Sequence, residues 1–351
     1  MKIVVVGDLI VSCELLQEAA KQLKPKEDIT IKTVYWPAKD RKDFQKKALH
    51  LETEGPEAEE VPVELYEEIV DAEILLVHFC PVSAGLIEKS KKLKLIGTCR
   101  GGMEHVDITA ATKAGIPVIH VIRNAEAASD FTLGLMFAET RNIARAHAAL
   151  KDGIWRKEYE NSQYTTTFKQ MTLGIVGLGH IGKLVAEKAL GIGMQVIAFD
   201  PYISQDIADE KGLRIKMTDK ETLFKTADVV TLHLRLTPET ENSINKSVLD
   251  LMKPTAYLIN TSRARVIHKN DLLQVLQEKR IGGAALDVFW EEPIPKDDPL
   301  LQLDNLTITP HNAGNVVDAL PRSPMLLVDT IRQFWKTGKS DMVVNFKQLK
   351  Q

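Results

Sequence analysis

Short apolar runs rich in Val, Ile and Leu alternate with longer amphipathic stretches almost from one end of the chain to the other. The runs at 3–6, 31–34, 74–79, 93–98, 118–122, 173–176, 196–199, 229–232, 257–260, 284–287 and 306–309 have the length and composition of strands. Between them, 14–23, 63–70, 181–190 and 271–277 repeat apolar residues at three- and four-residue spacing and predict helices. Strands that are apolar at nearly every residue belong to sheets covered on both faces, and strand–helix alternation makes those sheets parallel. Two doubly wound units account for 351 residues, more than one ordinary domain. The stretch 125–150, whose one glycine is Gly134 and which has no proline, predicts a single long helix leaving the first unit. By the same pattern 151–171 is a connector, 39–60 a solvated helix and loop, and 316–336 a helix that follows a break at Pro321 and Pro324.

Composition narrows the class. A chain that is 44% hydrophobic and 26% charged is an ordinary globular protein rather than a disordered one. Lys and Arg number 45 against 48 Asp and Glu, a net charge of −3, so there is no basic excess for a nucleic acid or an anionic membrane. No apolar run approaches the roughly 20 residues that span a bilayer. Gly7 and Asp8 close the first run before it could form a secretory signal. Cys13, Cys80 and Cys99 show no CxxC spacing, and no histidine shows metal-ligand spacing. A cytoplasmic protein with free thiols, without a metal, a membrane or a nucleic-acid partner, is expected.

Chemistry first enters at TLGIVGLGHIGKLVAEKALGIGMQVIAFD, residues 172–200. A strand ends in Gly177-Leu178-Gly179-His180-Ile181-Gly182, a helix follows, and a second strand ends in Asp200. In a dinucleotide-binding turn the first glycine permits the sharp bend, the second lets backbone approach a pyrophosphate, and the third lets helix and strand pack closely. The helix N-terminus offers free N–H groups and partial positive charge to phosphate. Asp200 is placed to accept from an adenine-ribose diol; a 2′-phosphate would meet its charge, and no Arg follows it, so NAD is expected over NADP. From this segment alone FAD or another adenosine-containing ligand satisfies the same pattern.

Three later strand ends carry ionisable groups: INTSR with Arg263, ALDVFWEEP with Glu292, and TPH with His311. In open α/β sheets ligands bind outside the carboxyl ends of the strands, so these three groups are expected to converge. His233, at another strand end, is a candidate to line the cofactor cleft, the alternative being a structural histidine held by hydrogen bonds.

With GLGHIG and Asp200, LHLRLTPET at 232–240, INTSRARVI at 259–267, GAALDVFWEEP at 283–293 and TPHNAG at 309–314, the chain resembles the D-isomer-specific 2-hydroxyacid dehydrogenase family. The resemblance implies two Rossmann-like doubly wound parallel-sheet domains, the cofactor domain (126–316) being inserted into a discontinuous substrate domain (1–125 and 317–351). It implies catalytic roles for Arg263, Glu292 and His311, with Asp287 meeting the nicotinamide carboxamide. The cofactor set becomes Gly177, Gly179, His180, Ile181, Gly182, Asp200, His233, Thr261, Asp287 and His311. The substrate set becomes Arg100, Gly101, Gly102 and Arg263. It also implies NAD, a small 2-hydroxy or 2-oxo acid as substrate, and a homodimer formed through the helix at 126–150.

Several positions depart from the family pattern. Arg100 stands where a glycine is usual, Thr98 where Arg is usual, and His105 where Asn is usual. Arg235 stands where Pro is common, and Ala264-Arg265 replaces a glycine pair. These departures bear on substrate identity, and Arg100 is either a solvated arginine or a group for a second anionic or polyhydroxy part of the substrate. D-3-phosphoglycerate dehydrogenase, a dinucleotide-sensing corepressor or scaffold, and formate- or phosphite-type oxidation are the rival functions on the same frame. For the first of these, no room for an extra regulatory domain of ordinary size is expected after the last helix.

Overall fold

Alternate residues of β1 (Lys2–Gly7) go to opposite sides of a sheet: Ile3 and Val5 into one apolar layer, Val4 and Val6 into the other, all wholly buried. A strand apolar on both faces can sit only in the middle of a sheet with helices above and below. The computed structural model describes residues 1–23, 28–210 and 212–350. It forms two compact units, Met1–Arg123 with Val316–Gln351, and Asn124–Asn315.

In the first unit β1 is followed by α1 (Cys13–Lys21), β2 (Thr30–Tyr35), α2 (Arg41–Glu54), α3 (Val63–Glu68), β3 (Ile74–Val77), α4 (Ala84–Lys89), β4 (Leu95–Thr98), α5 (Ile108–Lys113) and β5 (Val118–His120). The five strands pair in parallel in the order β2-β1-β3-β4-β5. Helix α2 is more than a solvated element, because Phe44, Ala48 and Leu51, spaced by four and three, are buried in the core.

The second unit runs α6 (Ala125–Thr140), α7 (Ile143–Lys151), β6 (Thr172–Val176), α8 (His180–Gly191), β7 (Gln195–Phe199), α9 (Gln205–Glu210), β8 (Lys216–Met217), α10 (Lys220–Thr226), β9 (Val229–Leu232), α11 (Lys246–Leu249), β10 (Tyr257–Asn260), α12 (Lys269–Gln277), β11 (Gly283–Leu286) and β12 (Leu306–Ile308). Its seven parallel strands lie in the order β12-β11-β10-β9-β6-β7-β8. Tyr257 and Ile259 of β10 enter one layer and Leu258 the other. The two-residue edge strand β8 is too short for any pattern to reveal.

The long helix expected at 126–150 is two helices. Glu139, wholly buried near the end of α6, accepts from Thr307 Oγ1 at 2.6 Å and pairs with Arg145 at 2.5 Å. Arg145 also donates to Glu139 O (3.1 Å) and Asn142 Oδ1 (3.0 Å), drawing the chain back on itself. Asn142 takes the bend at φ 55°, in the left-handed region that Asn tolerates better than most residues.

The final helix, α13 (Ala319–Thr337), belongs to the first unit and is not broken at Pro321 and Pro324. Pro321 falls in the first turn, where no intrahelical N–H bond is needed. Pro324 cannot bond the carbonyl of Leu320, and the hydroxyl of Ser323 donates to that oxygen instead at 2.7 Å.

Candidate functional site

All seven strands of the second unit are parallel, so their carboxyl ends share one edge. The turns after β6, β9, β10, β11 and β12 open there, and β6, between β7 and β9, marks the point where the winding reverses.

The β6 turn is built for close backbone approach. Gly177 has φ 92°, and a side chain on it would meet His233 O at 2.6 Å. A Cβ on Gly182 would press into Gly177 O, whereas Gly179 faces open space. Gly179 is the N-cap of α8 and brings no side chain to cap it. A bare helix start beside an open glycine fits the pyrophosphate of a dinucleotide. Ile181 packs half-buried against the core, and its backbone and that of His180 open the first turn of α8. Asp200 also braces the turn, because its carboxylate accepts from Leu178 N–H (2.8 Å) and Tyr202 N–H (2.9 Å) and so ties the end of β7 to the glycines.

His233 follows β9, its N–H donating to Val176 O at 2.8 Å and its Nε2 lying 3.1 Å from Thr231 Oγ1. Loss of hydration pushes its pKa down to about 4, so the ring is neutral at physiological pH. The hydroxyl of Thr261 meets that of Thr132 on α6 at 2.8 Å; since Thr132 donates to Ala128 O, Thr261 is the donor in that pair.

Arg263 leaves β10 on a loop set by Asn260, which is wholly buried. The Asn260 amide donates to Arg263 O at 2.9 Å, and its oxygen accepts from the N–H (3.0 Å) and hydroxyl (2.8 Å) of Ser262. The Arg263 side chain itself is exposed, with one donor spent on Ser262 O at 2.7 Å.

Glu292 and His311 meet beyond the ends of β11 and β12: Nδ1 of His311 is 2.7 Å from Oε2 of Glu292. The other carboxylate oxygen accepts from Phe289 N–H at 3.0 Å. Partial burial works to raise the Glu292 pKa, but hydrogen bonds from His311 and Phe289 and the charges of His311 and Arg263 hold it below the usual glutamate range. An ionised Glu292 accepts, so Nδ1 carries the proton and Nε2 is the ring atom left to work.

Asp287, wholly buried, takes Thr309 Oγ1 (2.6 Å) and Asn312 N–H (2.9 Å) on one oxygen and Ala313 N–H (2.7 Å) on the other. Those three bonds fasten the 309–313 loop, in which His311 holds φ 54°. This clamp was not legible in the sequence, and neither was the Asn260 brace, although an Asn at a strand end three residues before an Arg is a recognisable loop-forming pattern.

In the first unit, Arg100, Gly101 and Gly102 follow β4. Arg100 is no solvated arginine. Its side chain is 8% exposed, paired with Glu52 at 2.6 Å and Glu104 at 3.6 Å, and its guanidinium lies over the Phe79 ring at 3.5 Å. Gly101 O lies 3.1 Å from His120 Nδ1.

A doubly wound sheet with this glycine turn and this row of strand-end groups has the form of a dinucleotide-binding domain. Residues 133–313 match the family model "D-isomer specific 2-hydroxyacid dehydrogenase, NAD binding domain". The chain is 35% identical over 291 residues to the glyoxylate reductase of Thermofilum pendens, covering 82% of this chain and 85% of that one. It is 38% identical to the D-3-phosphoglycerate dehydrogenase of Methanocaldococcus jannaschii over 82% of this chain, and spans 54% of that protein's length. Of the Synechocystis sp. D-3-phosphoglycerate dehydrogenase it spans 46%. The NAD-complexed crystal structure of the D-isomer specific 2-hydroxyacid dehydrogenase from Lactobacillus delbrueckii ssp. bulgaricus shares the fold, with a TM-score of 0.68 at 23% identity over 98% of this chain and 100% of that one. The chain belongs to the D-isomer-specific 2-hydroxyacid dehydrogenase family, and its second unit carries that family's NAD-binding domain. Among the described residues no helix is long and apolar enough to cross a membrane.

Proposed function

We propose that the protein is an NAD-dependent oxidoreductase that interconverts a D-2-hydroxy acid and its 2-oxo acid. The observation that carries this function is the 2.7 Å pair of His311 with Glu292, on the same sheet edge as the glycine turn and next in strand order to the loop of Arg263. NAD(H), when bound, supplies or takes up the hydride. Gly177, Gly179, Gly182 and Asp200, with the backbone of His180 and Ile181, hold its adenosine and pyrophosphate portion. His233, Thr261 and Asp287 line the nicotinamide end.

Arg263 holds the substrate carboxylate and carbonyl oxygen through its planar fork, and charge-assisted bonds of that kind are worth about 1.5–3 kcal/mol each. As negative charge grows on that oxygen, His311 Nε2–H donates a proton to it; in the reverse direction neutral Nε2 takes the proton from the hydroxyl. Glu292 fixes the tautomer through Nδ1 and balances the imidazolium. Arg100, Gly101 and Gly102 are assigned to substrate binding in the first unit.

A homodimer through the 126–150 region is part of the same proposal. It is supported by an apolar surface on α7 and the residues after it, where Ile143, Leu150, Ile154 and Trp155 are 55%, 56%, 58% and 77% exposed.

The test is NADH oxidation followed by absorbance with a panel of 2-oxo acids. Turnover is expected with at least one and is lost in His311→Gln; NADH binding without turnover on any acid sinks the proposal. In Glu292→Gln the rate–pH profile moves, and a profile coinciding with the wild type removes Glu292 from the acid–base pair.

A further inference from the structure

β10 and β11 are neighbours in the second unit's sheet, and the loops that leave their carboxyl ends carry Arg263 and Glu292. A side-chain bond joins those two loops. Trp290 lies two residues before Glu292, and its indole N–H donates to Ile267 O at 3.0 Å. Ile267, four residues past Arg263, is a fixed point. Its side chain is wholly buried, its N–H donates to Ala264 O at 2.9 Å, and it bridges Ile244 from the segment before α11. Asn260 pins the start of the same loop, so the Arg263 segment is held at both ends. The Trp290 ring packs, half-buried, on the apolar layer that contains Ile267, Leu272 and Leu286. Lys269, the first residue of α12, makes a second tie: its Nζ meets Asp298 Oδ2 at 2.5 Å and lies 6.0 Å from the centre of the Trp290 ring. Residues 290–298, Glu292 among them, are therefore a short span anchored at each end to the segment that follows Arg263.

The acid–base pair of the proposed chemistry cannot hold itself in place. The side chains of Glu292 and His311 are 39% and 49% exposed, and an ion pair that open to water does little to fix its own geometry. His311 takes its place from the bonds of Asp287 to its loop. Glu292 accepts from Phe289 N–H, a contact inside its own loop that moves whenever the loop moves. What fixes that loop against the sheet edge is an anchor outside it, and the Trp290 bond is such an anchor. The requirement is strict, because a misplacement of about 1 Å in a reacting group can cost about a hundredfold in rate.

We propose that Trp290 is a positioning residue: through Ile267 its indole locks the Glu292 loop to the Arg263 loop, so that carboxylate and guanidinium move as one piece. Trp290 acts through Glu292 rather than on the substrate, and its N–H sets where Glu292 meets His311. The assignment rests on the dehydrogenase function proposed above, whose acid–base pair the bond places.

The experiment compares Trp290→Phe, which keeps an aromatic ring but has no N–H, with Trp290→His, whose Nε2–H stands where the indole N–H stood. Reduction of the 2-oxo acid turned over fastest in the panel is followed across pH. In Trp290→Phe, kcat is expected to fall at least fivefold and the rate–pH profile to move the same way as in Glu292→Gln, while the NADH Kd stays within twofold. Trp290→His is expected to recover kcat to within threefold of the wild type. In Trp290→Phe combined with Glu292→Gln, kcat stays within twofold of Glu292→Gln alone, because nothing is left to position. Wild-type kcat and profile in Trp290→Phe, a Trp290→His no better than Trp290→Phe, or full additivity in the double variant overturns the proposal. A further measurement leaves Trp290 intact. Coupling is reciprocal, so in Glu292→Ala labelled with ¹⁵N-tryptophan one of the four indole N–H groups exchanges with solvent at least threefold faster than in the wild type. No change in any of the four overturns the tie, even if neither Trp290 variant folds. If the wild type reduces no acid, the dehydrogenase function falls, while the exchange rates still decide the tie.

Discussion

Asp287 offers the sharpest test of how the second unit holds its chemistry. Its buried carboxylate is the acceptor for Thr309 Oγ1, Asn312 N–H and Ala313 N–H, and between those anchors sits His311 in a left-handed conformation. Asp287→Asn keeps the shape but exchanges one acceptor oxygen for an amide donor. At least one of the three donors then faces another donor, and leaving one buried donor unmet costs about 2 kcal/mol. For a cooperative unit of this size that is a fall of about 4–8 °C in Tm. Asp287→Ala, which strands all three donors, costs about 3–5 kcal/mol, the upper end of single substitutions. A released loop also frees the imidazole from Glu292, so kcat falls about tenfold or more in Asp287→Asn, about 1.4 kcal/mol of transition-state stabilisation. Thermal denaturation and steady-state kinetics on the same preparation read both effects. A Tm within about 1 °C of the wild type, with only the NADH Kd raised, would refute the clamp and leave Asp287 as a plain cofactor contact.

Three further outcomes follow from the second unit. Glu139 has its pKa pushed up to about 7, burial outweighing the support of Arg145 and Thr307. Because the folded value lies above the unfolded one, the native state holds that proton more tightly. Stability is therefore fully present below about pH 4.5 and is lost as pH rises through 7, by an amount on the order of 3 kcal/mol. Denaturant midpoints of Glu139→Gln minus wild type should climb across that window, and a flat difference disproves the shift. Gly182→Ala drives a Cβ against Gly177 O and should weaken NADH binding more than tenfold, read by fluorescence titration; a change under twofold would show that the turn is not the binding site. Trp155→Glu is expected to shift sedimentation towards the monomer, and an unchanged mass would place the interface elsewhere.

Eight of the eleven apolar runs became central strands and were legible because a central strand of a covered parallel sheet must be apolar at successive residues, a local property that no distant contact changes; the runs at 31–34, 118–122 and 306–309 lie at sheet edges. The same holds largely for the glycine turn: the positive φ of Gly177 and the closeness of Gly182 to Gly177 O are local, so spacing announces them, whereas the crowding of Gly177 by His233 O arrives only with the assembled sheet. The bend at Asn142 was not legible, since 125–150 has no local breaker. What turns the chain is the buried Glu139, which pairs with Arg145 six residues on and accepts from Thr307, 168 residues away, a partner that no local pattern reveals. Proline at 324 misled in the opposite direction, its lost bond being replaced by a neighbouring serine hydroxyl.

The strand ends placed Arg263, Glu292 and His311 on one edge from sequence, because parallel strands all present their carboxyl ends to the same side. Whether a given imidazole touches a given carboxylate is a matter of ångströms, and those were decided by loop anchors such as Asp287 and Asn260, whose bonds appear only once the sheet has assembled.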